Sequence, residues 1–132
     1  HLVKGSDLAI ISCGYMVHKA LKAQTILNEK GVSTGVIDLF RIKRLNAQGL
    51  AKILSQYSSL VTVEEQILEG GFSGAVVEAL TDHNVRLPVK RIGIRDGYTV
   101  LNGNRDQLHE LYQIDTPHIV DASLSLKRGK VT

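Results

Sequence analysis

Short apolar runs alternate with longer segments whose apolar residues recur every three or four positions, and this alternation predicts the elements. Asp7–Cys13 (DLAIISC) reads as a buried strand ending at Gly14. Tyr15–Lys30 follows as a helix with Val17, Ala20, Leu21, Ala23 and Leu27 tending to one side, and Gly31 stops it. Ser33–Leu39 is the second strand. Asn46 is placed to cap a helix whose Leu50, Ile53, Leu54 and Tyr57 fall at helical spacing. Ser59–Glu65 is the third strand, Phe72–His83 the third helix, and Pro88–Ile94 the fourth strand, which starts on a proline as strand ends permit. After the polar loop Arg95–Gly103, Asn104 opens a short helix with Gln107 at the capping-box position. Thr116 then reads as a cap before Pro117 at the first position of a last helix, which reaches about Lys127.

The series β-α-β-α-β-α-β-α-α predicts an α/β fold in which a parallel sheet carries helices on both faces, with strand order 2-1-3-4. In such a sheet a crevice opens beyond the strand carboxyl ends where the order reverses, here between the first and third strands. Gly14, Tyr15 and His18 would therefore come near Glu64, Glu65, Gly70, Gly71 and Phe72. These eight residues are the candidates for a crevice or a contact with another domain or subunit.

The chemistry available to them is limited. The corner Gly70–Gly74 (GGFSG) leads from a strand into a helix and has the character of an anion cradle. It lacks the Lys-Ser/Thr of a P-loop, and its glycines are not spaced G-x-G-x-x-G. Glu64, Glu65 and Glu69 crowd it. At about 5–6 Å in a surface-like dielectric each would repel a phosphate by roughly 3 kcal/mol before salt screening. The same carboxylates would stabilise a helix N-terminus by about 0.3–1 kcal/mol each, which favours a structural corner. Glu64 and Glu65 are adjacent in a strand and so point to opposite faces, which argues against a shared proton.

Cys13 with His18 suggests a thiol nucleophile whose pKa a helix N-terminus would lower, but no orienting third residue accompanies them. The five histidines (1, 18, 83, 109 and 118) show no metal-ligand spacing. Arg95-Asp96-Gly97-Tyr98 suits a contact surface. No catalytic, cofactor-binding or metal-binding set emerges, and the residues describe a docking or assembly domain more readily than a self-contained enzyme.

Bulk properties narrow this further. With 132 residues and only 2 prolines, the chain is expected to form one domain over 1–132. No apolar run approaches the roughly 20 residues that cross a bilayer, so no membrane association is expected. The single Cys13 excludes an internal disulfide and fits a reducing, cytoplasmic setting. A net charge of +3 raises the question of nucleic acid. The basic clusters Arg41/Lys43/Arg44 and Lys127/Arg128/Lys130 carry no interleaved aromatics, so they read as a solvated loop and a frayed tail. An opening His1 rather than Met suggests a fragment of a longer protein.

Four motifs in order resemble the C-terminal domain of the transketolase family: Gly5–Gly14 (GSDLAIISCG), Val36–Leu39 (VIDL), Val63–Glu65 (VEE) and Gly70–Gly74 (GGFSG). That family includes transketolases, 1-deoxyxylulose-5-phosphate synthases and the beta subunits of 2-oxo acid dehydrogenases, and a related domain occurs in pyruvate:ferredoxin oxidoreductases. The similarity extends from about Val3 to Ser125. It implies a three-layer α/β/α domain with an antiparallel edge strand before Gly5, of which His1–Lys4 would be the truncated end. It also implies a parent enzyme, homodimeric, in which thiamine diphosphate and magnesium lie between two preceding domains that this domain packs against. On that basis the parent would transfer a two-carbon ketol unit between sugar phosphates, with a synthase or a 2-oxo acid dehydrogenase beta subunit as alternatives. A free-standing α/β module binding a small ligand or a protein is the non-enzymatic alternative. The family often reads Lys-Pro-Leu-Asp where this chain has Lys43–Asn46 (KRLN), which removes the proline and adds a charge. Missing neighbours would leave an exposed apolar patch near the glycine corner or the truncated sheet edge, a potential dimer contact.

Overall fold

Leu8, Ala9, Ile10 and Ile11 have no exposed surface, as expected of a strand covered on both faces. They belong to β1 (Leu8–Ser12), one of two inner strands of a computed structural model that describes residues 1–95, 97 and 102–129. Around it lie β2 (Thr34–Asp38), β3 (Ser59–Ile67) and β4 (Val89–Ile94). All pair in parallel, in the order β2-β1-β3-β4. The predicted order is the observed one.

The pleat sorts the side chains into two cores. Leu8 and Ile10 of β1, with Val36, Val61 and Val63, pack under α1 (Met16–Glu29) and α5 (Thr116–Lys127). Ala9 and Ile11, with Ile37 and Leu60, pack under α2 (Ala47–Leu54) and α3 (Phe72–Asp82). Each fully buried aliphatic side chain contributes about 1.5–3 kcal/mol of transfer free energy, so both helical layers are held chiefly by apolar burial. The short α4 (Arg105–Leu111) carries the predicted capping box, with Asn104 accepting from the Gln107 N–H at 2.9 Å and Gln107 accepting from the Asn104 N–H at 3.1 Å.

Local signals mostly fall where expected. Asn46 caps α2 by accepting from the Gly49 N–H at 3.0 Å. Gly31, with φ of 78°, lets the chain turn back so that the Val32 N–H reaches the Leu27 carbonyl at 3.0 Å. The antiparallel edge strand is reduced to one bridge, Val3 to Val36. β3 runs two residues past Glu65, because Ile67 still pairs with Ile94 beyond an irregularity.

Two expectations need correcting. Asp115, not Thr116, caps α5: its carboxylate accepts from the His118 N–H and also binds His118 Nδ1, which leaves Pro117 at the second helical position. A carboxylate is the stronger acceptor, and His118 adds a second donor to it. Nor does the basic tail fray from Lys127 onward. That residue ends α5 and donates to Asp7 at 2.6 Å, tying the last helix to the entry of β1. Arg44 sits at φ of 59°, a conformation closed to proline. The loop after β2 therefore follows a path that Lys-Pro-Leu-Asp could not take. Lys130 lies outside the described residues, as do Asp96 and Tyr98 of the expected contact loop.

The hydrogen bond from Lys127, followed by that from the Ser33 N–H, lowers the Asp7 pKa from 3.8. A depressed folded-state pKa gives stability that is complete above the unfolded value and lost as pH falls through the folded one. Asp7→Asn should therefore flatten the loss of stability below about pH 4, measured by urea unfolding across pH 2–6; an unchanged acid limb would remove Asp7 from that role.

Candidate functional site

β3 delivers the site. Between Val63 and Ile67 its register with β4 shifts, so the carboxylates stand on an irregularity, a device that re-aims side chains at strand ends. Glu64 turns toward the α2/α3 layer and Glu65 toward the α1/α4 side, the opposition expected of neighbours in a strand.

Glu64 has no exposed surface. Its Oε2 accepts from the Phe72 N–H at 2.7 Å and its Oε1 from the Ser73 N–H at 3.0 Å, the first two donors of α3. The helix is thus capped by a residue of the preceding strand, since Gly71 at the cap position has no side chain to offer. Two glycines make room. A Cβ on Gly71 would come within 2.4 Å of Glu64 Oε2, and one on Gly93 within 2.9 Å of Glu64 Cγ. Charge-assisted bonds of about 1.5–3 kcal/mol each and the helix dipole oppose a desolvation cost of several kcal/mol. The carboxylate is stable there only because both oxygens are satisfied.

On the other side, Glu65 is partly exposed. Its Oε1 hydrogen-bonds His109 Nε2 at 2.7 Å and forms an ion pair with Arg105 Nε at 3.1 Å. His109 is buried, and its Nδ1 has no hydrogen-bond partner among the described residues. The Tyr15 ring meets His109 edge-on at 5.8 Å and His18 at 6.1 Å, with the Arg105 guanidinium 4.3 Å above it. Lys19 donates to Asp106 at 3.0 Å, a second tie between α1 and α4. A pocket of about 280 Å³ opens beside this network, floored by Ile94, Leu108, Tyr112 and Ile114.

The sheet therefore divides the eight candidates. Tyr15 and His18 share the Glu65 network. Glu64, Gly71 and Phe72 form the capped corner, and Gly14 and Gly70 are exposed turns with positive φ. Arg105, His109 and Gly93 were not legible as site residues. A capping box showed that α4 begins at Asn104, but no local pattern tells which strand its side chains will meet. The helix N-terminus does not lower the Cys13 pKa as expected: burial raises it above 9.0, and Glu64, Asp38 and Glu65 raise it further. Burial is the larger cause, and the carboxylates at the strand ends add to it.

The first 119 residues match the family model described as "Transketolase, C-terminal domain". The chain belongs to this family. It is 44% identical over 95 residues to the 1-deoxy-D-xylulose-5-phosphate synthase of Picosynechococcus sp., covering 72% of this chain and 15% of that protein. With the Syntrophus aciditrophicus protein of the same name it shares 36% over 126 residues, 95% of this chain and 19% of the other. It is 31% identical over 125 residues to one of the subunits of the apulose-4-phosphate transketolase of Actinobacillus succinogenes, covering 95% of this chain and 40% of that polypeptide. Among solved structures, a split-gene transketolase described as an inactive beta4 tetramer superposes with a TM-score of 0.84 at 29% identity, over 96% of this chain and 42% of that one. The domain thus occurs in multi-domain and split-gene enzymes, which implies partner domains or subunits.

The family suggests thiamine diphosphate and magnesium, and the residues present do not fit them. The N–H groups at the start of α3, which would meet a diphosphate, already bind Glu64, whose charge would repel it. Among the described residues no three His, Cys, Asp or Glu side chains converge as metal ligands. Nor is any helix among them long and apolar enough to cross a membrane.

Two outcomes test this geometry. Glu64→Gln can accept at only one of its two bonded positions and should cost about 1–3 kcal/mol, read from chemical denaturation; a neutral substitution would show that the carboxylate is not needed as a cap. Cys13 should react with iodoacetamide at pH 8 more slowly than a free thiol, and a rate equal to or above it would mean that burial and the carboxylates do not govern it.

Proposed function

We propose that this chain is the C-terminal assembly domain, spanning residues 1–132, of a cytoplasmic thiamine diphosphate-dependent enzyme that transfers a two-carbon ketol unit between sugar phosphates. It is not catalytic by itself. The observation that carries this reading is the family match over residues 1–119 in a chain whose best-placed anion-binding helix end is filled by its own Glu64. The thiamine-binding domains or subunit of the same enzyme are its partners, and the parent is a homodimer. Thiamine chemistry would come from those domains, and the candidate crevice residues would contribute position and contact.

A second reading makes the parent a 1-deoxyxylulose-5-phosphate synthase. The identities of 44% and 36% to two such synthases support it. Both readings assign this domain the same task.

Calorimetric titration of the purified chain with thiamine diphosphate and magnesium should give no binding heat, and the chain alone should show no ketol transfer. Mixed with the thiamine-binding polypeptide of its enzyme, it should restore turnover. Transfer between sugar phosphates supports the first reading, and formation of 1-deoxyxylulose 5-phosphate the second. Binding or turnover by the chain alone would overturn both.

A further inference from the structure

We infer that the loop from Phe40 to Arg44 docks this chain onto an acidic, apolar-centred surface of its thiamine-binding partner. The inference rests on the assembly reading above and names the surface and its chemistry. Phe40 is 83% exposed, the highest value among the large apolar side chains of the described residues. Ile42, also exposed, stands two residues on, between Arg41 and Lys43.

This loop is not loosely held. Leu39 and Leu45 on either side of it pack against the α2/α3 core. The Leu39 N–H bonds the Ser12 carbonyl at 2.9 Å, and Asn46 begins α2. The fold thus pins both ends and presents a phenyl ring to solvent between them. A rigidly presented aromatic surrounded by arginine and lysine has the make-up of an interface anchor with a charged rim.

Charge selects the occupant. Between Asp38 and Glu64 the sequence holds no acidic residue, while Arg41, Lys43 and Arg44 are all exposed, and among the described residues none of the three forms an ion pair. A partner surface bearing carboxylates around an apolar pocket complements it. A second copy would bring the same basic loop against itself in a symmetric contact.

Val3 pairs antiparallel to β2, so the chain before Val3 runs toward the carboxyl end of that strand, where Phe40 follows. The relatives carry most of their length outside the matched region. Exposed Tyr15, just after β1, and Ile67, the last residue of β3, lie at the same end of the sheet, which extends the surface.

The test measures affinity of the full chain for the thiamine-binding polypeptide of its enzyme by calorimetry, at low and tenfold higher salt. Phe40→Ser should weaken binding by about 30-fold. The combined Arg41→Glu, Lys43→Glu and Arg44→Glu variant should bind weakly at low salt and lose the salt dependence of the wild type. Both changes are at exposed positions, so thermal unfolding midpoints should not move. Wild-type affinity in both variants would overturn the inference while leaving the assembly reading intact. Self-association abolished by Phe40→Ser, with partner binding unchanged, would assign the loop to a second copy and also overturn it. A wild-type chain that binds no thiamine-binding polypeptide would overturn the assembly reading, and this inference with it.

Discussion

The buried carboxylate of Glu64 at the start of α3 is the interaction on which the rest of this structure depends. It satisfies two helix donors that no residue of the corner itself can serve, because Gly71 stands where a capping side chain would. That glycine, and Gly93 across the strand pair, are in turn required by the carboxylate's own bulk. Strand, corner and helix are thus specified together. A change at any of the three positions leaves either an unpaired charge or unpaired N–H groups in a dry interior, and both are expensive.

The same interaction decides what the corner can do. A helix N-terminus after a glycine turn is a ready site for an anion, and here the protein supplies the anion from its own chain. Burial raises the Cys13 pKa, and the Glu64 charge adds to that effect. The arrangement suits a domain whose family occurs in larger and split-gene enzymes.

Glu65 shows how much one residue of register matters. Its peptide neighbour is sealed in the core, yet Glu65 reaches the other layer and gathers Arg105, His109 and Tyr15 into a network that fastens α4 against the strand end. The two carboxylates differ because the pleat sends them to different solvents: one to backbone donors in an apolar layer, the other to a half-wet pocket rim.

Much of this was determined by the sequence alone. Apolar period and turn residues set the element order and the parallel sheet, and Asn46 and Asn104 marked their helices correctly, because caps and pleats are decided by a few adjacent residues. The four ordered motifs identified the family for the same reason: each is a local solution to a strand end or a turn. Helix α5 was less legible, since Thr116 and Asp115 are both competent caps and only the packing of His118 chose between them. What tertiary structure alone decided was pairing at a distance: Glu64 with α3, Glu65 with His109 and Arg105, Asp7 with Lys127 across 120 residues. Hydrogen bonds and ion pairs act over about 3 Å, and the residues that come that close are fixed by how layers stack, which no local spacing records.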